Sequence, residues 1–317
     1  MISTPAYNLA ADPRTAAALS LKEAVLKLLA YFDIFHYPLT RDEVCSFLRH
    51  FPAEEKIDQS LAILLDEKTI FCYQGFYSLQ DNLLLVHRRK QGNERAVPLL
   101  RKAIRIGRFL QQFPFVRAVG ISGSLSKNFA AENADIDFFI ITASNRLWIA
   151  RTLMHLFKKL CYLAGRQHYF CMNYYIDEMA LSLEDQNIFS AIEVKTLVPV
   201  DGFHGMEDFF TLNAWTAQWL PGFADPLQSL PDSRPSVFKN TGEWFFNAMW
   251  GDRLDDFLFH KTRQRWLVKE ARGLRNQKGV RMGLVTGKHF ARSNPGAFQE
   301  RVLAMYEKKL QQLNLLR

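Results

Sequence analysis

The sequence predicts an α+β protein. Apolar residues recur at helical spacing near both ends of the chain. Between them, the residues 116–142 predict a strand, a tight turn, a short helix and a second strand, and 168–176 predict a third strand. We therefore expect a small mixed sheet flanked by helices, with helical regions before and after it.

The length of 317 residues suits more than one domain. We divide the chain into a flexible tail (1–18), a domain of three helices and a hairpin (19–86), a domain that contains the sheet (87–228) and a helical, basic C-terminal region (229–317). The N-terminus lacks the pattern of a signal peptide, and no apolar run approaches the ~18 residues that span a bilayer. These features predict a cytoplasmic protein without a membrane partner.

Three helices and a hairpin are predicted near the N-terminus. Apolar residues from Leu21 to Phe32 mark the first helix, the segment Thr40–Glu43 has the form of a capping box that starts the second, and the third follows Pro52. Two short strands joined at Gly75 complete a pattern that resembles a winged-helix domain. Its third helix carries five acids and two lysines over 54–68, a net charge of −3. That charge disfavours contact with DNA phosphates and favours a structural or protein-contacting role.

The central motif is the segment Val116–Thr142. Its first strand breaks at Gly123-Ser124, and its second strand carries Asp135 and Asp137, two positions apart. Side chains alternate along a strand, so both carboxylates leave the same face about 6.6 Å apart, an arrangement that suits a divalent cation. Glycine lets the backbone approach a polyphosphate, and free N–H groups at the start of the next helix attract anions.

This combination of a Gly-Ser turn and an Asp-x-Asp pair resembles the signature of the DNA polymerase β-like nucleotidyltransferase superfamily. The resemblance covers about a third of the chain. It implies transfer of a nucleoside monophosphate from a nucleoside triphosphate to an acceptor, with Asp135 and Asp137 as catalytic residues that hold two Mg²⁺ ions. Gly123 and Ser124 would bind the triphosphate, and Lys127, one turn into the helix, would neutralise phosphate charge.

The third predicted strand departs from this pattern. Alternation places Cys171, Asn173, Tyr175 and Asp177 on one face. The resemblance implies a third acid in mid-strand, where Asn173 stands. An amide oxygen can serve as a metal ligand, but Asn173 cannot act as a general base, and Asp177 lies about 13 Å further along the strand. Two hypotheses follow: catalysis with fewer acids, or a catalytically inactive module that binds nucleotide or metal.

The remaining patterns predict helices and a linker. A basic amphipathic helix or helix pair is expected at 87–112, a packed helix at 145–164, and helices with a mainly core-forming aromatic set at 187–221. A further helical pattern runs from about 238 to 317 and is interrupted around 273–287. Four prolines within 221–235 indicate a linker. The four cysteines, at 45, 72, 161 and 171, lack the spacing of a zinc site and are interpreted as buried thiols.

The positive charge is concentrated in one segment. Residues 261–292 contain four Lys and six Arg against the single Glu270, which gives +9, whereas the whole chain carries +8. Such a segment suits a triphosphate or a nucleic-acid partner, and equally a solvated surface. A DNA-binding regulator that acts through the winged-helix-like domain is a third hypothesis, which the acidic third helix disfavours. The acceptor and the preferred base are left open by the sequence.

Overall fold

The computed structural model describes residues 21–48, 54–163, 170–220, 227, 230–247, 250–275 and 279–316. Within these ranges the protein is α+β, with helices packed around a three-stranded and a six-stranded sheet. The predicted tail (1–18), the helix start at Pro52 and most of the predicted linker (221–235) lie outside the described residues.

The N-terminal helices and hairpin lie where the sequence predicts them. Thr40 Oγ1 accepts a hydrogen bond from Glu43 N at 3.2 Å, and Glu43 Oε2 accepts one from Thr40 N at 2.9 Å, which confirms the capping box. The small sheet has the order β1-β3-β2, with antiparallel neighbours. The elements are α1 (Leu21–Asp33), β1 (Leu39–Thr40), α2 (Arg41–Phe47), α3 (Glu54–Asp66), β2 (Phe71–Tyr73) and β3 (Phe76–Ser78).

The rest of the described chain builds the large sheet and its helices. The basic amphipathic segment forms one helix, α4, which starts earlier than predicted because Asn82 caps the N–H of Leu84. The elements up to the sheet's first edge are α4 (Leu83–Leu110), β4 (Val116–Ser122), α5 (Gly123–Ser126), β5 (Asp137–Thr142), α6 (Leu147–Leu163), β6 (Cys171–Asp177), α7 (Ile188–Lys195) and β7 (Val198–Asp201). They are followed by α8 (Phe203–Leu212), a 3₁₀ helix (Ala214–Gln218), α9 (Val237–Asn247), α10 (Gly251–Ala271), β8 (Leu284–Thr286), β9 (Phe290–Ser293) and α11 (Phe298–Gln312).

The large sheet has the strand order β7-β4-β5-β6-β9-β8. Strands β5 and β6 are parallel, and the other neighbouring pairs are antiparallel. Helix α6 connects the two parallel strands, as a parallel crossover requires. The starts of β5 and β6 therefore lie side by side next to the end of β4, and this is where the sequence motif is located.

Two predictions of helix were wrong. The region 229–317 was expected to be helical with an interruption around 273–287. Strand β8 falls within that interruption, but β9 lies beyond it, and the two form a hairpin that extends the sheet, with Ala291 paired to Tyr175. The segment 187–221 also contains β7, whose residue Pro199 is tolerated because β7 is an edge strand. Short apolar runs do not distinguish a strand from a helix by periodicity, so only pairing with distant strands reveals these elements.

The helices cover both faces of the large sheet. On one face α4 and α6 pack against Phe138 and Tyr175. On the other, α7 and α8 pack against Phe139 and Ile176. Burial of these apolar faces is the main force that holds the layers together.

The N-terminal helices pack on the same body through α7 and α11. Tyr31 and Tyr306 place their ring centroids 5.8 Å apart, and Lys309 pairs with the buried Asp33. The Tyr37 hydroxyl donates a hydrogen bond to the carbonyl of Lys127, directly behind the Gly-Ser turn. Within the described ranges, every helix is too short or too polar to cross a bilayer.

Candidate functional site

The turn after β4 packs tightly against the first residue of β5. Gly123 has φ +71°, a conformation that favours glycine, and a Cβ at this position would lie 2.6 Å from Asp137 Oδ2. The β4–β5 register, which pairs Ser122 with Asp137, produces this contact. Both the backbone conformation and the close approach therefore require glycine here.

Asp135 and Asp137 both line one large cavity. The cavity has a volume of about 1630 Å³ and opens beside the starts of β5 and β6. Ile136, between the two aspartates, is fully buried in the opposite direction. The structure therefore places both carboxylates at the cavity, beside the Gly123 turn.

Asn173 is brought next to Asp137 by a β-bulge. The consecutive residues Phe138 and Phe139 pair with Met172 and Tyr174, so Asn173 is an extra residue in β6. Its side-chain nitrogen donates a hydrogen bond to Asp137 Oδ1, and its oxygen lies 3.5 Å from Cys171 Sγ. The amide thus contacts one of the two carboxylates directly.

The same bulge corrects the predicted faces of the third strand. Alternation was expected to place Tyr175 and Asp177 with Asn173, but the extra residue inverts the pattern beyond it. Tyr175 packs in the core on the opposite face. Asp177 is fully buried, where it accepts hydrogen bonds from Asn145 N at 3.0 Å and Met179 N at 2.9 Å and contacts His289 Nδ1. Asp177 holds loops together and does not line the cavity.

Ser124 and Lys127 do not face the cavity. Helix α5 is a single turn, and neither of the two residues is part of the cavity wall. Lys127 Nζ instead donates hydrogen bonds to Gly123 O at 3.0 Å and to Glu193 Oε1 at 2.8 Å. Ser122, at the end of β4, lines the cavity in the place predicted for Ser124.

Glu193 is a cavity residue that sequence reasoning missed. It lies on α7, and its Oε2 accepts a hydrogen bond from Gly123 N at 3.3 Å. The backbone N–H of Gly123, which was expected to bind phosphate, therefore already donates to a carboxylate. In the sequence Glu193 is one acid on an ordinary helix, with no signal that it meets the turn 70 positions earlier.

Cys171 lies between the acidic and basic groups of the cavity. Burial raises the pKa of its thiol to about 11, the nearby Lys158 opposes this shift, and Asp137 and Asp135 reinforce it. Lys158 Nζ lies 4.0 Å from the sulfur. The thiol is therefore neutral near pH 7, and Lys158 and both aspartates line the same cavity as this thiol.

The carboxylates of Asp135 and Asp137 can supply some of the oxygen ligands that a Mg²⁺ ion needs. Mg²⁺ is commonly held by one or two carboxylates, with waters and substrate phosphates completing its coordination. Asp135 and Asp137 provide two carboxylates at a cavity large enough for a nucleotide. Over the described part of the chain, no group of three or more His, Cys, Asp or Glu side chains is placed to hold a metal ion. The arrangement fits a site that needs substrate oxygens to complete it.

Comparison of the chain with protein-family models, curated proteins and solved structures finds no match. Function is therefore inferred from the chemistry of the cavity.

Proposed function

We propose that the protein is a Mg²⁺-dependent nucleotidyltransferase that transfers a nucleoside monophosphate from a nucleoside triphosphate to an acceptor. The observation that carries the proposal is the meeting of Asp135, Asp137 and the Gly123 turn at the wall of one cavity. The sequence spacing and the tertiary contact point to the same chemistry.

In this reaction an acceptor oxygen forms a bond to the α-phosphorus while the bond to pyrophosphate breaks. Asp135 and Asp137 would hold Mg²⁺, which supplies charge neutralisation at the phosphate oxygens. Asn173 orients Asp137 through its amide N–H, and the cavity holds the two substrates in one place. Two ions would require further oxygen ligands from the bound triphosphate and from water.

The N-terminal helices and hairpin are proposed to form a winged-helix-like domain that supports the site. The contact from Tyr37 to the carbonyl of Lys127 supports this role, since it braces the turn that carries Gly123. The acidic third helix gives no positive surface for DNA. The basic segment 261–292 is the proposed surface for a nucleic-acid partner. Its side chains Lys261, Arg263 and Arg265, on the second half of α10, are exposed.

A second candidate function is nucleotide binding without turnover. Asn173 supports it, because an amide stands beside Asp137 where the resemblance implies a carboxylate. Without that carboxylate, a general base for the acceptor hydroxyl must come from another group or from water.

The test is calorimetric titration with non-hydrolysable analogues of ATP, GTP, CTP and UTP, each with Mg²⁺. Wild type is compared with the double variant Asp135→Asn/Asp137→Asn. We expect binding that requires both Mg²⁺ and the aspartates. A second assay then measures release of pyrophosphate from a natural triphosphate. Release is expected of a nucleotidyltransferase and not of a protein that only binds the nucleotide. If folded wild type binds none of the four analogues, both candidates fail.

A further inference from the structure

The predicted phosphate-binding groups of the Gly-Ser turn already have partners within the protein. Gly123 N and Lys127 Nζ both donate to the carboxylate of Glu193. An incoming phosphate would meet that negative charge before it met either donor. The cations that hold a polyphosphate must therefore come from another wall of the cavity.

Lys158 approaches the aspartates from α6. That helix packs on the face of the sheet lined by Phe138, whereas Asp137 leaves from the other face. Lys158 reaches across the strand starts to within 4.0 Å of Cys171 Sγ, and Cys171 is paired with Asp137 in the β5–β6 register. Lys158 also lines the cavity, together with Cys171 and both aspartates.

Helix α4 brings two more cations to the same cavity. Arg95 and Lys102 are seven residues apart, two helical turns, and therefore share one helix face. Both are exposed and line the cavity, with Leu99 between them. Gly92, one turn before Arg95, accepts a hydrogen bond from Ala130 N at 3.0 Å, which places this end of α4 beside the loop that leads to Asp135.

Helices α4 and α6 are fixed relative to one another. The rings of Phe109 on α4 and Phe157 on α6 have centroids 5.1 Å apart, and both helices share one core. Phe157 precedes Lys158 directly, so packing holds the base of the lysine side chain while its head reaches the cavity. The three cations thus lie on adjacent helices that form one wall.

We propose that Lys158, Lys102 and Arg95 form the polyphosphate-binding wall of the cavity. The wall and the two aspartates line the same cavity. A triphosphate bound there would contact the three cations, and Asp135 and Asp137 would hold the Mg²⁺ that neutralises further phosphate charge. This inference rests on the proposed function and assigns its phosphate subsite to α4 and α6 in place of the Gly123 turn.

The test uses inorganic tripolyphosphate in the presence of EDTA, so that neither a metal ion nor a nucleobase contributes to binding. Calorimetry at low and at physiological salt is performed on wild type, Lys158→Met, Lys102→Met and the turn variant Lys127→Met. The matched controls are Lys159→Met and Arg101→Met, which remove exposed cations next to the wall. We expect each wall variant to weaken binding about tenfold or more, and Lys158→Arg to retain affinity. The controls should bind like wild type.

The outcomes separate this inference from the proposed function. Loss of tripolyphosphate binding in the wall variants supports the wall, even where no nucleotide is turned over. If nucleotide binding depends on the aspartates but is unchanged in Lys158→Met and Lys102→Met, the proposed wall is wrong. The proposed function is not affected by that result. If only Lys127→Met loses affinity for tripolyphosphate, the phosphates bind at the Gly123 turn. If the control variants lose as much affinity as the wall variants, the attraction is nonspecific. Either result contradicts the proposed wall. Thermal denaturation of each variant verifies the fold.

Discussion

Glu193 accepts a hydrogen bond from the backbone N–H of Gly123 at 3.3 Å while it pairs with Lys127 at 2.8 Å. One carboxylate from α7 therefore satisfies two donors of the turn beside Asp137. The contact stabilises the turn, and it also adds negative charge to the cavity in which we propose that a triphosphate binds.

The variant Glu193→Gln is therefore expected to change stability and affinity in opposite directions. Loss of the charged acceptor should lower the free energy of unfolding by about 1 kcal/mol, since hydrogen bonds to a partly exposed carboxylate contribute at this level. Removal of the negative charge should raise the affinity for tripolyphosphate several-fold. Urea denaturation and calorimetry measure the two effects. Glu132→Gln, another cavity acid, is the control and should raise affinity slightly without loss of stability.

Gly123→Ala should be more destabilising than Gly75→Ala. Both glycines have positive φ, +71° and +80°, so both substitutions strain the backbone by about 1 kcal/mol. Only at Gly123 does the new Cβ meet an atom, Asp137 Oδ2 at 2.6 Å; at Gly75 no atom lies within 4 Å. We expect at least twice the loss of stability at Gly123, together with weaker Mg²⁺-nucleotide binding. Equal losses in urea denaturation would contradict the close packing of the turn on Asp137.

Asn173→Asp should make stability depend on Mg²⁺. The amide N–H that contacts Asp137 is lost, and two carboxylates then face each other, which raises the pKa of the pair. Without metal, the raised folded-state pKa means that stability falls as pH rises through it. With Mg²⁺ the repulsion is relieved, so the melting temperature should increase more than in wild type. Asn173→Ser, which adds no charge, is the control. If Mg²⁺ does not change the melting temperature of Asn173→Asp, the result would contradict a metal site at Asp137.

The buried carboxylate of Asp255 should make stability decrease with pH. Burial raises its pKa to about 6, although its Oδ1 accepts hydrogen bonds from Trp148 N at 2.8 Å and Ile149 N at 2.9 Å. Because the folded-state pKa lies above the ordinary value near 4, the protonated form is favoured in the folded state. Its contribution is present below about pH 4 and is lost as pH rises through about 6, by at most ~3 kcal/mol.

Asp255→Asn retains the accepting oxygen and removes the titration. We expect its free energy of unfolding to change less than that of wild type between pH 4 and pH 6. Urea denaturation at several pH values measures this difference. The exposed Asp208→Asn serves as the control and should follow wild type. Parallel pH profiles for wild type and Asp255→Asn would contradict the raised pKa.

Local sequence patterns predicted much of the scaffold. The capping box at Thr40, the strand–turn–strand motif around Gly123 and the α+β class all depend on residues within a few positions of one another. Such patterns are read directly from periodicity and turn chemistry. For the same reason the spacing of Asp135 and Asp137 was sufficient to expect them at one site, and the structure places both at one cavity.

The sequence by itself determined the local elements and the pair of aspartates, whereas tertiary structure decided what surrounds them. The bulge at Asn173, the hairpin of β8 and β9, and the contacts of Glu193 and Lys158 all depend on segments distant in the chain. Strand register and side-chain partners are set by packing between such segments. No local periodicity encodes that packing, because each partner's own sequence is compatible with many neighbours.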